Sequence, residues 1–181
     1  MTFSLQKKLT FSLIAMLLLI LSFILAVRVI TMYFKDNTDN LIIEYHELHA
    51  LQETKLSLNK LTIIFNNFSY DNTNLSENNL TVLVDELYQN TEKCHLVLTK
   101  SHNLALVLKF DAIASRLDKF VKILPMVNAK EKAIAINSIR SEIIEGMNTA
   151  DILIAETREE IYFYEKISST AILHGSYTIV L

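Results

Sequence analysis

Two histidines and a glutamate fall within five residues of one another in YHELHALQETKL (Tyr45–Leu56), and metal chemistry is the first thing such a cluster raises. A zinc-protease helix needs His-Glu-x-x-His, because imidazoles four residues apart project from one helical face with the glutamate poised as a base. Here His49 follows His46 by three positions, and the sequence offers no third ligand beside them. A pair on neighbouring turns makes at most a weak surface site, so no metal and no cofactor is expected. Cations beside apolar stripes are the other source of chemistry. Lys55 and Thr62 lie a turn from Leu51 and Leu58, Arg116 adjoins Leu117, and Arg140 adjoins Ile139. A cation at a bundle or dimer interface can hold a carboxylate through charge-assisted hydrogen bonds. Lys55, Thr62, Arg116 and Arg140 are therefore the candidate ligand-binding residues. The plainer alternative for each is a surface side chain with its head in water.

His46-Glu47-Leu48 also matches the first three letters of the box that carries the phospho-accepting histidine of histidine kinases. That box continues Arg-Thr-Pro-Leu, whereas this chain continues His-Ala-Leu-Gln and has no glycine motif for ATP. The match is accidental. Leu48 and Leu51 are expected in the seam of a long helix, with His46, Glu47 and His49 on its flanks. No Ser/His/Asp arrangement stands out, and the carboxylates follow only amphipathic spacing, so no catalytic residue is assigned and an enzyme is not expected. DELY (Asp85–Tyr88), KEK (Lys130–Lys132) and REE (Arg158–Glu160) read as solvated helix faces. The N-x-S/T triplets starting at Asn67, Asn74 and Asn79 fall in or beside an Asn-rich loop and are explained by chance.

The elements that would position these residues are helices. With 2 Gly and 1 Pro in 181 residues, the chain lacks the turns that a sheet protein needs. Leu41, Leu48, Leu51, Leu58, Leu61, Phe65 and Phe68 repeat near every 3.5 residues, as in bundles and coiled coils. FNNFSYDNTNLSENN then breaks the pattern, and Ser76 is placed to cap a second helix with Glu77 against its dipole. Its stripe is Leu80, Leu83, Val84, Leu87, Thr91, Cys94, Val97 and Leu98, which makes the single cysteine a small buried hydrophobe. Ser101-His102-Asn103 is the turn expected before a third stripe of Leu106, Phe110, Ile113, Leu117, Phe120 and Leu124. Pro125 ends that helix. Ile136, Ile139, Ile143, Met147, Ala150, Ile154, Thr157, Ile161 and Tyr164 form the fourth stripe. The fold class expected is all-α, an up-down-up-down four-helix bundle.

The extremities read as membrane. Residues 9–27, LTFSLIAMLLLILSFILAV, carry no charge, and at ~1.5 Å per residue they cover most of a ~30 Å hydrocarbon core. Arg28 can snorkel to the interface, Tyr33 and Phe34 suit the headgroups, and Lys7 and Lys8 favour a cytoplasmic N-terminus. A cleaved signal peptide is the alternative, but the run is long and AVRVITMYF offers no small-x-small site. After Lys166, ISSTAILHGSYTIVL reaches only ~22 Å as a helix, which makes it the start of a second span or an apolar helix packed on the body. The layout expected is a cytoplasmic N-terminus (1–8), a transmembrane helix (9–34), an extracytoplasmic bundle (35–166) and the truncated start of a second transmembrane helix (167–181). All 20 acids lie in 36–166 against 13 basic residues, a net −7 that gives nucleic acid no footprint.

This layout resembles the sensor regions of bacterial transmembrane receptors, both sensor histidine kinases and methyl-accepting chemotaxis receptors. In these a short basic N-terminus and a first span lead into a periplasmic four-helix bundle and a second span. Some sensor kinases end the first ectodomain helix in Met-Pro-x-Asn-Asp-Tyr. Ile63-Ile64-Phe65-Asn66-Asn67-Phe68 keeps a polar pair and an aromatic residue there but lacks Met-Pro. The resemblance implies a signal-sensing module in the bacterial inner membrane, of two-component or chemotaxis type. Its partners would be the lipid bilayer, a second copy of itself, and a small ligand or periplasmic protein. A stand-alone membrane-tethered interaction protein is the alternative.

Overall fold

The computed structural model describes the backbone of residues 5–71, 77–98 and 101–180, and their side chains except at 5–6, 68–71, 77–78, 101–102, 129 and 171–180. The described residues form four α-helices and no strand: α1 (Leu5–Asp71), α2 (Glu77–Val97), α3 (Ser101–Ile123) and α4 (Ala129–Val180). A 3-10 turn at Leu124–Met126 follows α3. The fold is an all-α four-helix bundle. The chain divides into two compact units, one of Met1–Leu41 with Tyr164–Leu181, the other of Ile42–Phe163.

In the first unit, α1 carries a stretch long and apolar enough to cross a membrane, and none of it is buried. Leu13, Leu17, Leu21 and Leu25 all stand exposed. The polar side chains here turn back on the helix. Ser22 Oγ donates to the Leu19 carbonyl at 2.8 Å, and Thr31 Oγ1 to that of Val27 at 2.8 Å. Serine and threonine hydroxyls in helices readily bond back to the preceding turn in this way. The backbone of the expected second span is helical to Val180, but its side chains from 171 onward lie outside the described residues.

The second unit holds the core. On α1 the buried seam is Glu44, Glu47, Leu51, Thr54, Leu58, Leu61 and Phe65, an unbroken alternation of three and four. This corrects the expected placement of Glu47, which is fully buried rather than on a flank, while Leu48 is only half-buried. A carboxylate occupies this heptad position, which an apolar pattern passes over. Glu44 and Glu47 both take part in electrostatic or hydrogen-bonding interactions, as buried carboxylates must. The other stripes pack against this seam largely as their periodicity predicts, with Leu80, Leu87 and Cys94 from α2, Phe110 and Leu117 from α3, and Ile136 and Ile143 from α4 all buried. Val107, Ala114, Val121 and Leu153 join them. Phe65 and Phe120 meet edge to face with centroids 6.1 Å apart, a favoured aromatic geometry. Buried Thr54, Thr91 and Thr157 satisfy their hydroxyls on carbonyls four residues back.

Helix ends follow local chemistry. Pro125 sits in the 3-10 turn just beyond α3, as its missing N–H requires. Asn128 and Glu131 cap α4 reciprocally: the Glu131 N–H donates to Asn128 Oδ1 at 3.0 Å, and the Asn128 N–H to Glu131 Oε2 at 3.3 Å. Ser76, the expected cap of α2, lies outside the described residues. The turn expected at Ser101–Asn103 is corrected, since α3 already begins at Ser101 and Asn103 is buried. Leu98 is already outside α2, and the polar tripeptide opens α3 instead of preceding it, because turn-favouring residues also favour first helical turns. At Gly146 a Cβ would come 2.6 Å from Ile113 Cδ1 and 3.3 Å from Leu58 Cδ1. Glycine is what lets α4 approach both α1 and α3 at that level.

Candidate functional site

Two faces of α1 carry polar side chains, and they are built differently. Towards α2 the groups form a closed chain. Lys93 Nζ donates to Glu53 Oε2 at 2.7 Å and to Asn90 Oδ1 at 3.1 Å. Asn90 Nδ2 donates to Ser57 Oγ at 2.9 Å, Ser57 Oγ to Glu86 Oε1 at 3.0 Å, and Lys60 Nζ to the same oxygen at 2.6 Å. The hydrogen bond from Lys93 holds the Glu53 carboxyl below the usual carboxylate range, and that from Lys60, helped by Ser57, does the same for Glu86. Burial pushes the Cys94 thiol up to about 11, although its bond with Thr54 at 3.2 Å works against this. A thiol so protonated is a poor nucleophile. This face is saturated, and its role is to hold two helices in register.

Towards α4 the face is open. Lys55 Nζ donates to Asp151 Oδ1, and below this pair lies a groove of about 270 Å³ lined by Gln52, Lys55, Leu56, Asn59, Asp151, Ile154 and Arg158. Ile154 is its buried floor, and Leu56 is half exposed at the rim. The four cation-and-hydroxyl candidates do not converge here. Lys55 alone lines the groove. Thr62 Oγ1 donates to the Leu58 carbonyl at 3.0 Å and to Met147 Sδ at 3.6 Å. Arg116 pairs with Glu142 across α3 and α4. Arg140 Nη2 donates to the Phe65 carbonyl at 3.1 Å, tying α4 to α1.

Arg158 and Asp151 were not among the sequence candidates. The signal for Arg158 is nonetheless readable: its i±3 and i±4 neighbours are Ile154, Ala155, Ile161 and Tyr162, so no carboxylate lies within helical reach. Among the described residues of the bundle unit, Lys55, Lys60, Lys93, Lys109, Arg116 and Lys122 each have an acidic partner. Arg158 has none, and neither do Lys119, Lys130 and Lys132; Arg158 lines the groove beside Lys55. The Gln52 and Asn59 amides in the same groove also lack a protein hydrogen-bond partner among the described residues. Among the described residues no three His, Cys, Asp or Glu side chains come together as a metal would need, and His46 and His49 are exposed.

No family model, curated protein or solved structure matches the chain. The groove therefore has to be judged by its own chemistry. It offers a guanidinium without an acidic partner, two free amides and an apolar floor, a set that suits binding.

Proposed function

We propose that the chain is the membrane-anchored, extracytoplasmic sensor module of a bacterial transmembrane receptor of two-component or chemotaxis type. The observation that carries this reading is the unburied apolar stretch in α1, the helix that also supplies the bundle seam from Glu44 to Phe65. An apolar run of this length left out of its own core calls for a bilayer, and Lys7 and Lys8 orient it with the bundle outside. The cross-helix bonds are compatible with the up-down-up-down order. As α1 residues rise from Glu53 to Lys60, their α2 partners fall from Lys93 to Glu86, and from Lys55 to Phe65 the α4 partners fall from Asp151 to Arg140. In the mechanism we envisage, a ligand that binds two packings of the bundle unequally shifts α4 against α1.

Site-directed labelling tests the anchor. In cells making the full chain, a membrane-impermeant maleimide should label Lys119→Cys from outside and Lys7→Cys only after permeabilisation. Native Cys94, buried and protonated to about pH 11, stays silent. Recovery of the chain in the soluble fraction, or labelling of Lys119→Cys only after permeabilisation, refutes the reading.

A further inference from the structure

We propose that the α1–α4 groove binds a small organic monocarboxylate, with Arg158 gripping the carboxylate and Leu56 and Ile154 receiving its apolar body. This names a ligand class for the sensor reading and depends on that reading for its biological use, though not for the binding itself.

The charge of the groove sets the sign of the ligand. Lys55 and Arg158 stand against Asp151, a surplus of one positive charge in a segment (36–166) whose 13 basic and 20 acidic residues give −7. A dianion would overcompensate that surplus and meet Asp151, and a cation would meet Arg158. Lys55 is already engaged by Asp151, so the free fork of Arg158 is the group left to take two oxygens side by side. Size comes next: about 270 Å³ lies below the ~300–1,000 Å³ of pockets for drug-sized ligands. The buried Ile154 floor and the Leu56 rim reward a short aliphatic body over a bare inorganic anion. Gln52 and Asn59 can each donate to or accept from a hydroxyl or keto group on that body.

Calorimetry on the full chain in lipid nanodiscs provides the test. Acetate, propionate, butyrate, valerate, lactate and pyruvate are titrated at constant ionic strength, with sulfate and phosphate as inorganic arms. At least one carboxylate should saturate with a Kd of about 1 mM or tighter. Arg158→Gln should weaken it at least about tenfold, and Arg158→Lys less, because the point charge survives without the fork. Lys55→Gln should weaken it and Asp151→Asn should tighten it roughly two- to fivefold, an order that follows charge and that a merely structural role would not produce. All four variants are at exposed or half-exposed positions, and each is checked for unchanged helix content. The proposal is overturned if no carboxylate saturates, if Arg158→Gln binds like the parent, if Asp151→Asn weakens binding, or if sulfate or phosphate binds as tightly. Failure here in a chain that inserts into membranes leaves the anchor reading standing; carboxylate binding by a freely soluble chain does the reverse.

Discussion

The α2-facing and α4-facing sides of α1 use the same kinds of residue to opposite ends. On the first, Glu53, Ser57 and Lys60 are linked through Lys93, Asn90 and Glu86, and every one of the six side chains has a partner. On the second, the Arg140 bond to the Phe65 carbonyl and the Thr62 bond to Met147 lie to one side, and the exposed pair of Lys55 with Asp151 stands over a groove in which Arg158, Gln52 and Asn59 are unspent. A saturated network penalises any change of register, because each broken bond strands a half-buried group. An exposed single pair contributes about 0–1 kcal/mol and can be exchanged for another partner. The contrast locates rigidity between α1 and α2 and adaptability between α1 and α4.

The largest loss should come where both faces share a core. Leu58 is fully buried and lies against the Gly146 position of α4. Leu58→Ala should cost about 2–5 kcal/mol in chemical denaturation, through lost transfer energy and a cavity. Next comes the closed face. Asn90→Ala leaves Ser57 without its donor and Lys93 without one acceptor, for an expected cost of about 1–3 kcal/mol. If Asn90→Ala proves neutral, the network is ornament and the contrast between the faces collapses.

Much of this architecture is legible in the sequence, and the exceptions have identifiable causes. The stripes of α2, α3 and α4 announce themselves because Leu, Ile, Phe and Val fill most inward positions. Pro125 marks its boundary because its ring allows nothing else. The α1 seam is harder to read: Glu44, Glu47 and Thr54 occupy inward positions that hydrophobicity assigns to the surface, and only the three-four spacing betrays them. Ser101–Asn103 misleads because the same side chains serve turns and helix starts. The groove is the least legible feature. Lys55 could be picked out by its closeness to the seam, but Arg158 hides in a charged run, and its isolation emerges only once the partners of the other cations are known. The α1–α2 network is equally hidden, since its cross-helix partners sit 26 to 40 residues apart and no local rule pairs them.

Acid bears on the closed face through its two carboxylates. The folded-state pKa values of Glu53 and Glu86 are depressed, so the stability they contribute is present above the unfolded carboxylate pKa. It is lost as pH falls through the depressed folded values, below the ordinary carboxylate range. Thermal midpoints taken down that range should drop, and the double variant Glu53→Gln with Glu86→Gln should flatten part of the slope. An unchanged slope in the double variant would mean that the α2-facing carboxylates do not link protons to folding.

The smallest effect should belong to Asp151→Asn. Its side chain is 55% exposed and its partner Lys55 36% exposed, so water already screens the pair, and the loss should stay within about 1 kcal/mol. The amide can still accept from Lys55 Nζ, which leaves the packing of α4 against α1 undisturbed while the local charge rises by one. Measured beside Asn90→Ala in the same denaturation series, it gives the ratio on which the comparison stands. A cost for Asp151→Asn equal to or above that of Asn90→Ala would place the rigid seam between α1 and α4 instead. The groove would then be a by-product of tight packing, because an interface held that firmly has little freedom to respond to a small ligand.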